Sequence, residues 1–236
     1  SFTAQHMKLS PAFSTWFLGL FLALFPCFLF AQHADFIWKP KISYSWSSSE
    51  RLAFSANLEM FNSLSDLDNI AAISYIEPQF TFSYPFAGQT KAGGGYYYRH
   101  STPFVDGYQY EHRLLEQISF TYALGGHSLK HRARLEQRIR SSSYQNRLRY
   151  RVQTKLPFRK QQAGSAESYL SLSEELMTAF NKYAADAENR FYVGLGWLLK
   201  NNQKLELGVE YRMQDIASGD PLRHLILLNT SYHLGR

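Results

Sequence analysis

The sequence has a single cysteine, Cys27, in 236 residues, and it has no apolar run of membrane-helix length after residue 31. One cysteine excludes an internal disulfide, a cysteine-based zinc cluster and a two-cysteine redox motif. A mean hydropathy of −0.33 leaves no helix-type membrane signal in residues 32–236. The net charge of +6 is too small to indicate a nucleic-acid-binding protein. Two signals remain, a short apolar segment near the start and a periodic pattern after it.

Residues 1–31 are predicted to be an N-terminal extension and a cleaved secretory signal peptide. Met7 is the expected start, Lys8 is basic, and residues 16–30 form an apolar run that ends at Ala31. This order is typical of signal peptides, and we expect cleavage after Ala31 or, as a second choice, after Ala34. Residues 32–236 then form one domain. Removing residues 1–31 takes away one of the 25 basic residues and no acid, which leaves 24 basic against 19 acidic side chains.

Two other interpretations of the apolar segment stay open. A membrane anchor would need ~20 apolar residues, whereas this run is shorter and is interrupted by Pro26. Lipidation at Cys27 would fit Leu24, three residues earlier, but such sites carry a small residue where Pro26 stands.

Residues 204–214 show the pattern that dominates the rest of the chain. Polar, charged or small residues alternate with apolar ones: Glu206, Gly208, Glu210, Arg212 and Gln214 with Leu205, Leu207, Val209, Tyr211 and Met213. Successive side chains of a strand point to opposite faces, so one face is apolar and the other is charged. Soluble barrels have apolar interiors, whereas transmembrane barrels have lipid outside and a polar interior. The repeated pattern favours a transmembrane barrel.

Similar segments predict eleven strands, at residues 36–46, 51–61, 75–85, 92–100, 107–124, 130–140, 145–158, 168–180, 189–199, 204–214 and 224–234. Most connections are short and rich in Gly, Asn or Ser, as in hairpins. Bacterial single-chain barrels have an even number of strands. We therefore expect an all-β fold, a closed antiparallel transmembrane β-barrel of 10–12 strands with a polar, charged lumen. Twelve strands are favoured, with the twelfth in residues 62–73.

Short and long connections partly alternate along the chain. The tight turns lie near Ser48, Gly88, Gly125 and Asn201. The longer, polar connections are residues 62–70, 101–106, 181–188 and 215–222. Outer-membrane barrels have short periplasmic turns and longer outer loops, so we place the tight turns in the periplasm. The 16 tyrosines and 18 phenylalanines, many near strand ends, fit aromatic girdles at both membrane interfaces.

Five segments carry a resemblance to a known family: Tyr110-Glu111-His112-Arg113, Arg132-Ala133-Arg134-Leu135-Glu136-Gln137-Arg138, Asn146-Arg147-Leu148-Arg149-Tyr150-Arg151, Asn189-Arg190-Phe191-Tyr192-Val193-Gly194-Leu195-Gly196 and Leu205-Glu206-Leu207-Gly208. With the ending Phe30-Ala31-Gln32, they resemble the Bacteroidota outer-membrane barrels catalogued as domain of unknown function 2490. The resemblance covers nearly all of residues 32–236. It implies a β-barrel in the outer membrane and no activity. The ending His233-Leu234-Gly235-Arg236 departs from such barrels because it lacks a terminal aromatic residue.

Two adjacent predicted strands place a row of arginines on the lumen face. These are Arg132, Arg134, Arg138 and Arg140 beside Glu136, and then Arg147, Arg149 and Arg151. Like charges about 5 Å apart on neighbouring strands repel, so they need carboxylate partners. We expect the network to include Glu111, Glu175, Glu206 and Glu210 together with Arg113, Arg190 and Arg212. Arginine suits such pairs because its planar guanidinium binds carboxylates bidentately and stays protonated.

This network has two interpretations. Pairs of arginine and glutamate fill a narrow lumen and tie strands together, or the arginines select anions or hold an anionic ligand. No catalytic residue, metal ligand or cofactor is predicted. His100-Ser101, His127-Ser128 and His131 have no diagnostic catalytic spacing, and Gly93-Gly94-Gly95 lacks the context of a phosphate-binding loop.

Three polar side chains fall on the apolar face of their predicted strands: Glu116, Glu174 and His112. A carboxylate that faces lipid at mid-depth is unfavourable. We therefore expect each glutamate at a rim or beside a bulge, and His112 at the membrane surface.

The sequence favours an outer-membrane barrel that is structural, accessory or a narrow anion-favouring pore, rather than an enzyme. The alternative is a lipid-modifying barrel enzyme, such as a lipase or an acyltransferase. A third reading is a soluble calycin-like ligand-binding barrel, which would need the apolar faces to point inward. Expected partners are outer-membrane lipids and lipopolysaccharide, whose phosphates suit a mild basic excess, the barrel-assembly machinery during insertion, and a small anionic solute. A protein partner is unknown, and nucleic acid is not expected.

Overall fold

The computed structural model describes residues 34–48, 51–64, 73–103, 109–124, 127–158, 167–181 and 185–235. The chain divides into residues 1–34 and a β-sheet unit of residues 35–236. The predicted signal peptide and the preferred cleavage site lie outside the described residues. Within those ranges no helix has the length and apolarity to cross a membrane.

The segments in which polar and apolar side chains alternate form eleven strands. They are β1 (Ala34–Ser47), β2 (Ala53–Ser63), β3 (Ile73–Ala87), β4 (Thr90–Ser101), β5 (Gln109–Leu124), β6 (His127–Arg140), β7 (Tyr144–Pro157), β8 (Glu167–Phe180), β9 (Ala185–Leu198), β10 (Lys204–Gln214) and β11 (Arg223–Gly235). Each predicted strand corresponds to one of them.

These strands form a closed barrel in which β1 lies between β2 and β11. Ten consecutive pairings, from β1–β2 to β10–β11, are antiparallel. Since the strand number is odd, β1 and β11 run in the same direction where they meet. The preference for twelve strands is therefore wrong for the described chain, because a parallel pair between the first and last strands closes an odd barrel. Residues 65–72, within the segment suggested for a twelfth strand, lie outside the described residues.

Two of the predicted tight turns have backbones that explain their sequences. Asn201 and Asn202 both have φ of 58°, the left-handed conformation that a type I′ hairpin requires at its two central residues. Gly88, with φ of 52°, begins the two-residue connection between β3 and β4. Both turns lie at the same end of the barrel, because they follow odd-numbered strands.

The longer connection predicted at 181–188 is shorter in the structure. β9 begins at Ala185, so Asp186 and Glu188 belong to the strand. They alternate with Ala185 and Ala187. Alanine is only weakly apolar, so this alternation is a weak sequence signal for a strand with one apolar face.

The register places charged side chains inside the barrel and large apolar ones outside. Glu136 and Glu175 are 0 % and 1 % exposed, whereas Leu148 and Leu176 on the same wall are 52 % and 53 % exposed. This direction is opposite to the inward apolar packing that a soluble calycin-like barrel needs, so the structure does not support that third reading.

A small apolar cluster interrupts the polar interior near the meeting of β1 and β11. Ile37, Leu225 and Leu227 are buried together, and Phe61 of β2 packs against them. Tyr75 stacks on Phe61 with ring centroids 4.7 Å apart. The interior therefore contains an apolar cluster on the side of β1, β2 and β11, where Lys39, Lys41 and Glu59 also line the lumen, whereas ion pairs dominate the opposite side.

Candidate functional site

The lumen contains a cavity of about 750 Å³ whose lining is polar and charged. Fifteen of its lining side chains are basic and five are acidic. Three further glutamates, Glu111, Glu136 and Glu175, bind arginines of the lining. Even with these three included, basic groups exceed acidic ones by seven, so the lumen carries an excess of positive charge.

The predicted network residues share the interior of the barrel. Those that line the cavity directly are Arg113, Arg132, Arg134, Arg138, Arg147, Arg149, Arg151, Arg190, Glu206, Glu210 and Arg212. Glu111, Glu136 and Glu175 complete the predicted set as the ion-pair partners of these arginines.

Glu111 on β5 binds three arginines of β5 and β6 through its carboxylate. Its Oε2 accepts hydrogen bonds from Nη2 of Arg138 at 2.7 Å and from Nε of Arg140, while Arg113 on its own strand donates to Oε1. Arg113 also lies 3.2 Å from Glu77 of β3, which accepts from Nε of Arg99 at 2.6 Å. This chain of ion pairs links β3, β4, β5 and β6.

Glu175 on β8 serves four arginines. Its Oε2 accepts from Nη2 of Arg132 and Nε of Arg151, each at 2.9 Å. Its Oε1 accepts from Arg149, and Nη1 of Arg190 lies 3.8 Å away. One carboxylate therefore neutralises only part of the charge of β6, β7 and β9.

Glu136 on β6 is completely buried and also has several basic neighbours. Its Oε1 accepts from Nη1 of Arg149 at 2.7 Å, and Nη1 of Arg134 lies 3.5 Å away. Arg147 approaches only to 3.9 Å. Arg134 finds its closer acceptors in two neutral groups, Oε1 of Gln117 and the hydroxyl of Tyr97, both at 2.9 Å.

Glu206 and Glu210 bind groups other than the arginines of β6 and β7. Glu206 accepts from the hydroxyls of Tyr169 and Tyr192, both at 2.8 Å, and lies 3.3 Å from Nζ of Lys155. Glycine at position 194 makes room for this arrangement, because a Cβ there would lie 2.2 Å from the Tyr192 hydroxyl.

Glu210 pairs with its strand neighbour and with a residue of β1. Nε of Arg212 donates to Oε1, and Nζ of Lys39 lies 3.6 Å from Oε2. Glu210 thus links β10 to β1, whereas Glu206 links β10 to β7, β8 and β9.

The sequence analysis did not predict several charged residues of the lumen, although they too alternate with outward-facing residues along their strands. They are Lys39, Lys41, Glu59, Glu77, Arg99, Lys130 and Glu188. Most of them are single charges between apolar neighbours, as Lys41 is between Pro40 and Ile42. Isolated charges give a weaker signal than the consecutive arginines of β6 and β7.

Glu116 and Glu174 lie on the outer wall. Neither expectation for them holds, because both lie within regular pairing, away from any rim and any register shift. Glu174 accepts a hydrogen bond from Nδ2 of Asn189 at 3.1 Å. Glu116 lines an outer groove beside Gly94 and Gln137. His112 lies near the start of β5, close to one end of the barrel. Its Nδ1 is 2.5 Å from the Tyr96 hydroxyl.

The histidines and serines singled out in the sequence form no catalytic arrangement that the geometry identifies. His100 and Ser101 are consecutive in β4, so their side chains point to opposite faces. His131 lies 2.8 Å from the Tyr150 hydroxyl and stacks on Phe120. Across the described residues, no group of three or more His, Cys, Asp or Glu side chains could hold a metal ion.

The rim at which β10 ends carries acidic side chains. Burial, followed by the charge of Asp186, raises the pKa of Asp215 above its usual value. Asp35 lies 3.4 Å from Arg223 at the start of β11.

A family model described as "Protein of unknown function (DUF2490)" matches residues 35–223. The match covers most of the chain and nearly all of the barrel, so the chain belongs to this family. No curated protein and no solved structure matches the chain.

Proposed function

We propose that this member of the DUF2490 family is an integral outer-membrane β-barrel whose lumen admits small anions. The observation that carries the proposal is the distribution of polarity, with large apolar side chains exposed outside and a basic excess inside. A surface of this kind has a favourable environment in hydrocarbon, and closure of the barrel leaves no unpaired strand edge.

The dimensions of the strands support insertion. The eleven strands have 11 to 16 residues, and a tilted strand needs about 9–11 residues to cross the hydrocarbon core. A signal peptide in residues 1–31 would deliver the chain to the periplasm, where barrel-assembly machinery acts.

Aromatic side chains at the two ends of the barrel support the same proposal. At one end Trp46 stacks on Tyr44 and Phe54, with centroids 5.5 Å apart in each pair. At the other end His112 lies 5.4 Å from Tyr98 and 6.0 Å from Tyr110. Aromatic girdles occupy these positions in membrane barrels, where they would contact outer-membrane lipids and lipopolysaccharide.

Membrane insertion is tested by the behaviour of the mature chain, residues 32–236. We expect it to require detergent for solubility and to stay with the membrane fraction after extraction with alkaline carbonate. A monodisperse protein in buffer without detergent would contradict the proposal.

Anion preference is tested across planar bilayers that contain the purified protein. Under a gradient of KCl, the reversal potential is expected to have the sign of a chloride-selective conductance, because the lumen has a positive excess. A bilayer that stays sealed at high protein load, or a cation-selective conductance, would overturn this part of the proposal.

A further inference from the structure

Four basic side chains gather in one part of the lumen. Arg132 of β6 and Arg151 of β7 lie directly opposite each other in the register, and Lys130 shares the lumen face of Arg132 two residues earlier. Lys41 of β1 lines the same cavity. It interacts electrostatically with Glu59 and, among the basic groups, with Arg132 and Arg151. Lys130 interacts with the same two arginines, so the four positive charges act on a common space.

The carboxylates that the structure describes do not balance these four charges. Arg132 and Arg151 share a single oxygen, Oε2 of Glu175, and the other oxygen of that carboxylate binds Arg149. Nε of Arg132 is buried and has no hydrogen-bond acceptor. Neither Lys41 nor Lys130 has a carboxylate at ion-pair distance among the described residues, although Glu59 lies opposite Lys41 in the register.

Neutral hydrogen-bonding groups surround the four basic ones. Ser119 lies opposite Arg132, Gln153 lies opposite Lys130, and Ser173 lies opposite Gln153. All three line the cavity. Hydroxyl and amide groups can complete the hydrogen bonding of an oxyanion without adding negative charge.

We infer that Lys41, Lys130, Arg132 and Arg151 form a binding site for a phosphoryl group, either free phosphate or a phosphate monoester. Guanidinium groups bind phosphate oxygens bidentately, and the ammonium groups add compact charges. A dianion with three or more oxygens can accept from all four groups, whereas chloride offers one charge and no directional acceptors. The inference deepens the proposed function, since it rests on the same anion-admitting lumen.

The test measures binding by the full chain in detergent solution, independently of any membrane. Inorganic phosphate and glycerol 3-phosphate are titrated by calorimetry against sodium chloride at equal ionic strength. We expect saturable binding of phosphate that chloride does not reproduce. Tighter binding of glycerol 3-phosphate would identify the monoester as the preferred source, and equal or weaker binding would identify free phosphate.

Two variants locate the site. In Lys41→Gln/Lys130→Gln no ion pair is broken, so we expect a folded barrel that binds phosphate about tenfold more weakly or worse, from the loss of charge-assisted contacts. Arg132→Gln leaves Glu175 with three arginines and is expected to weaken binding similarly. Lys200→Gln, in the exposed β9–β10 turn, removes a positive charge outside the lumen and should bind like the unaltered protein.

Two results would overturn the inference. One is equal heat from phosphate and chloride, or none from either, with folded protein. The other is unchanged phosphate affinity in the double lysine variant. Failure of the proposed function would give a different result. A barrel that conducts no ions in a bilayer but binds phosphate in detergent would contradict the anion-admitting lumen and still support the phosphate site.

Discussion

The two sides of the barrel interior are held together by different forces. On the side of β6, β7 and β8, Glu136 and Glu175 are buried among arginines that outnumber them. On the side of β1, β2 and β11, Ile37, Leu225 and Leu227 pack with Phe61. Both sides have an apolar outer face. The two sides therefore differ only in the side chains that face the lumen.

The difference corresponds to the place where the barrel closes. Neighbours in sequence pair through antiparallel registers in which a carboxylate of one strand faces an arginine of the next, as Glu136 faces Arg147. β1 and β11 are the most distant strands in sequence and meet in parallel. Apolar packing is non-directional, so it joins two strands without requiring matched charges. On the side of β6, β7 and β8, in contrast, the arginines outnumber the carboxylates that bind them.

The largest expected effect is the loss of a carboxylate from the charged side. Glu175→Gln leaves four arginines around a neutral amide, and breaking buried ion pairs typically costs about 3–5 kcal/mol. We expect a lower midpoint of denaturant-induced unfolding in detergent.

The matched control is Glu174→Gln, one residue away on the outer wall. Its single hydrogen bond from Asn189 can be retained by a glutamine oxygen, so little change is expected. Equal destabilisation by the two substitutions would remove the distinction between the inner and outer faces of β8.

The apolar side is tested by Leu227→Ala. Leu227 is fully buried, and removing its side chain is expected to cost about 2–5 kcal/mol through lost contacts and a cavity. Leu228→Ala is the control, since Leu228 is 44 % exposed on the outer wall. Unfolding curves in which Leu227→Ala resembles Leu228→Ala would mean that apolar packing does not stabilise the closure.

The smallest loss of stability is expected from a substitution on β10, which lies between the two sides of the barrel. Glu206→Gln should cost about 1 kcal/mol, because an amide still offers a hydrogen-bond partner to the Tyr169 and Tyr192 hydroxyls. Glu210→Gln should cost more, since the buried Arg212 and the half-buried Lys39 both lose an ion pair. Thermal unfolding of the two single variants checks the order, and the reverse order would contradict the assignment of partners.

Alternation predicted much of this architecture because its period is a local property. Each of the eleven predicted segments became a strand, and the bounds of 204–214 agree to the residue. The inward positions of Arg134, Arg149 and Glu136 follow from the same period. The tight turns at Gly88 and Asn201 were equally local, since they depend on backbone conformations that glycine and asparagine tolerate.

Predictions that depended on distant partners were less successful. An even strand number was expected from other barrels, but closure depends on how β1 meets β11, 176 residues apart from the end of one to the start of the other. Glu206 lies on the expected face, yet it accepts hydrogen bonds from two tyrosines on other strands, Tyr169 of β8 and Tyr192 of β9. Leu225 and Leu227 lie in an apolar stretch, Leu225–Leu228, whose composition does not distinguish its inner from its outer face.

The sequence by itself determined the strands, their two faces and the excess of arginine over glutamate on the inner one. Those properties depend on residue type and on a period of two. Only the tertiary structure decided that eleven strands close through a parallel pair, which arginines share Glu136 and Glu175, and that Lys41 of β1 lines the same cavity as Arg132 and Arg151. The physical reason is that closure and ion pairing depend on the curvature of the sheet and on distances across the lumen, and these arise only when all the strands are assembled.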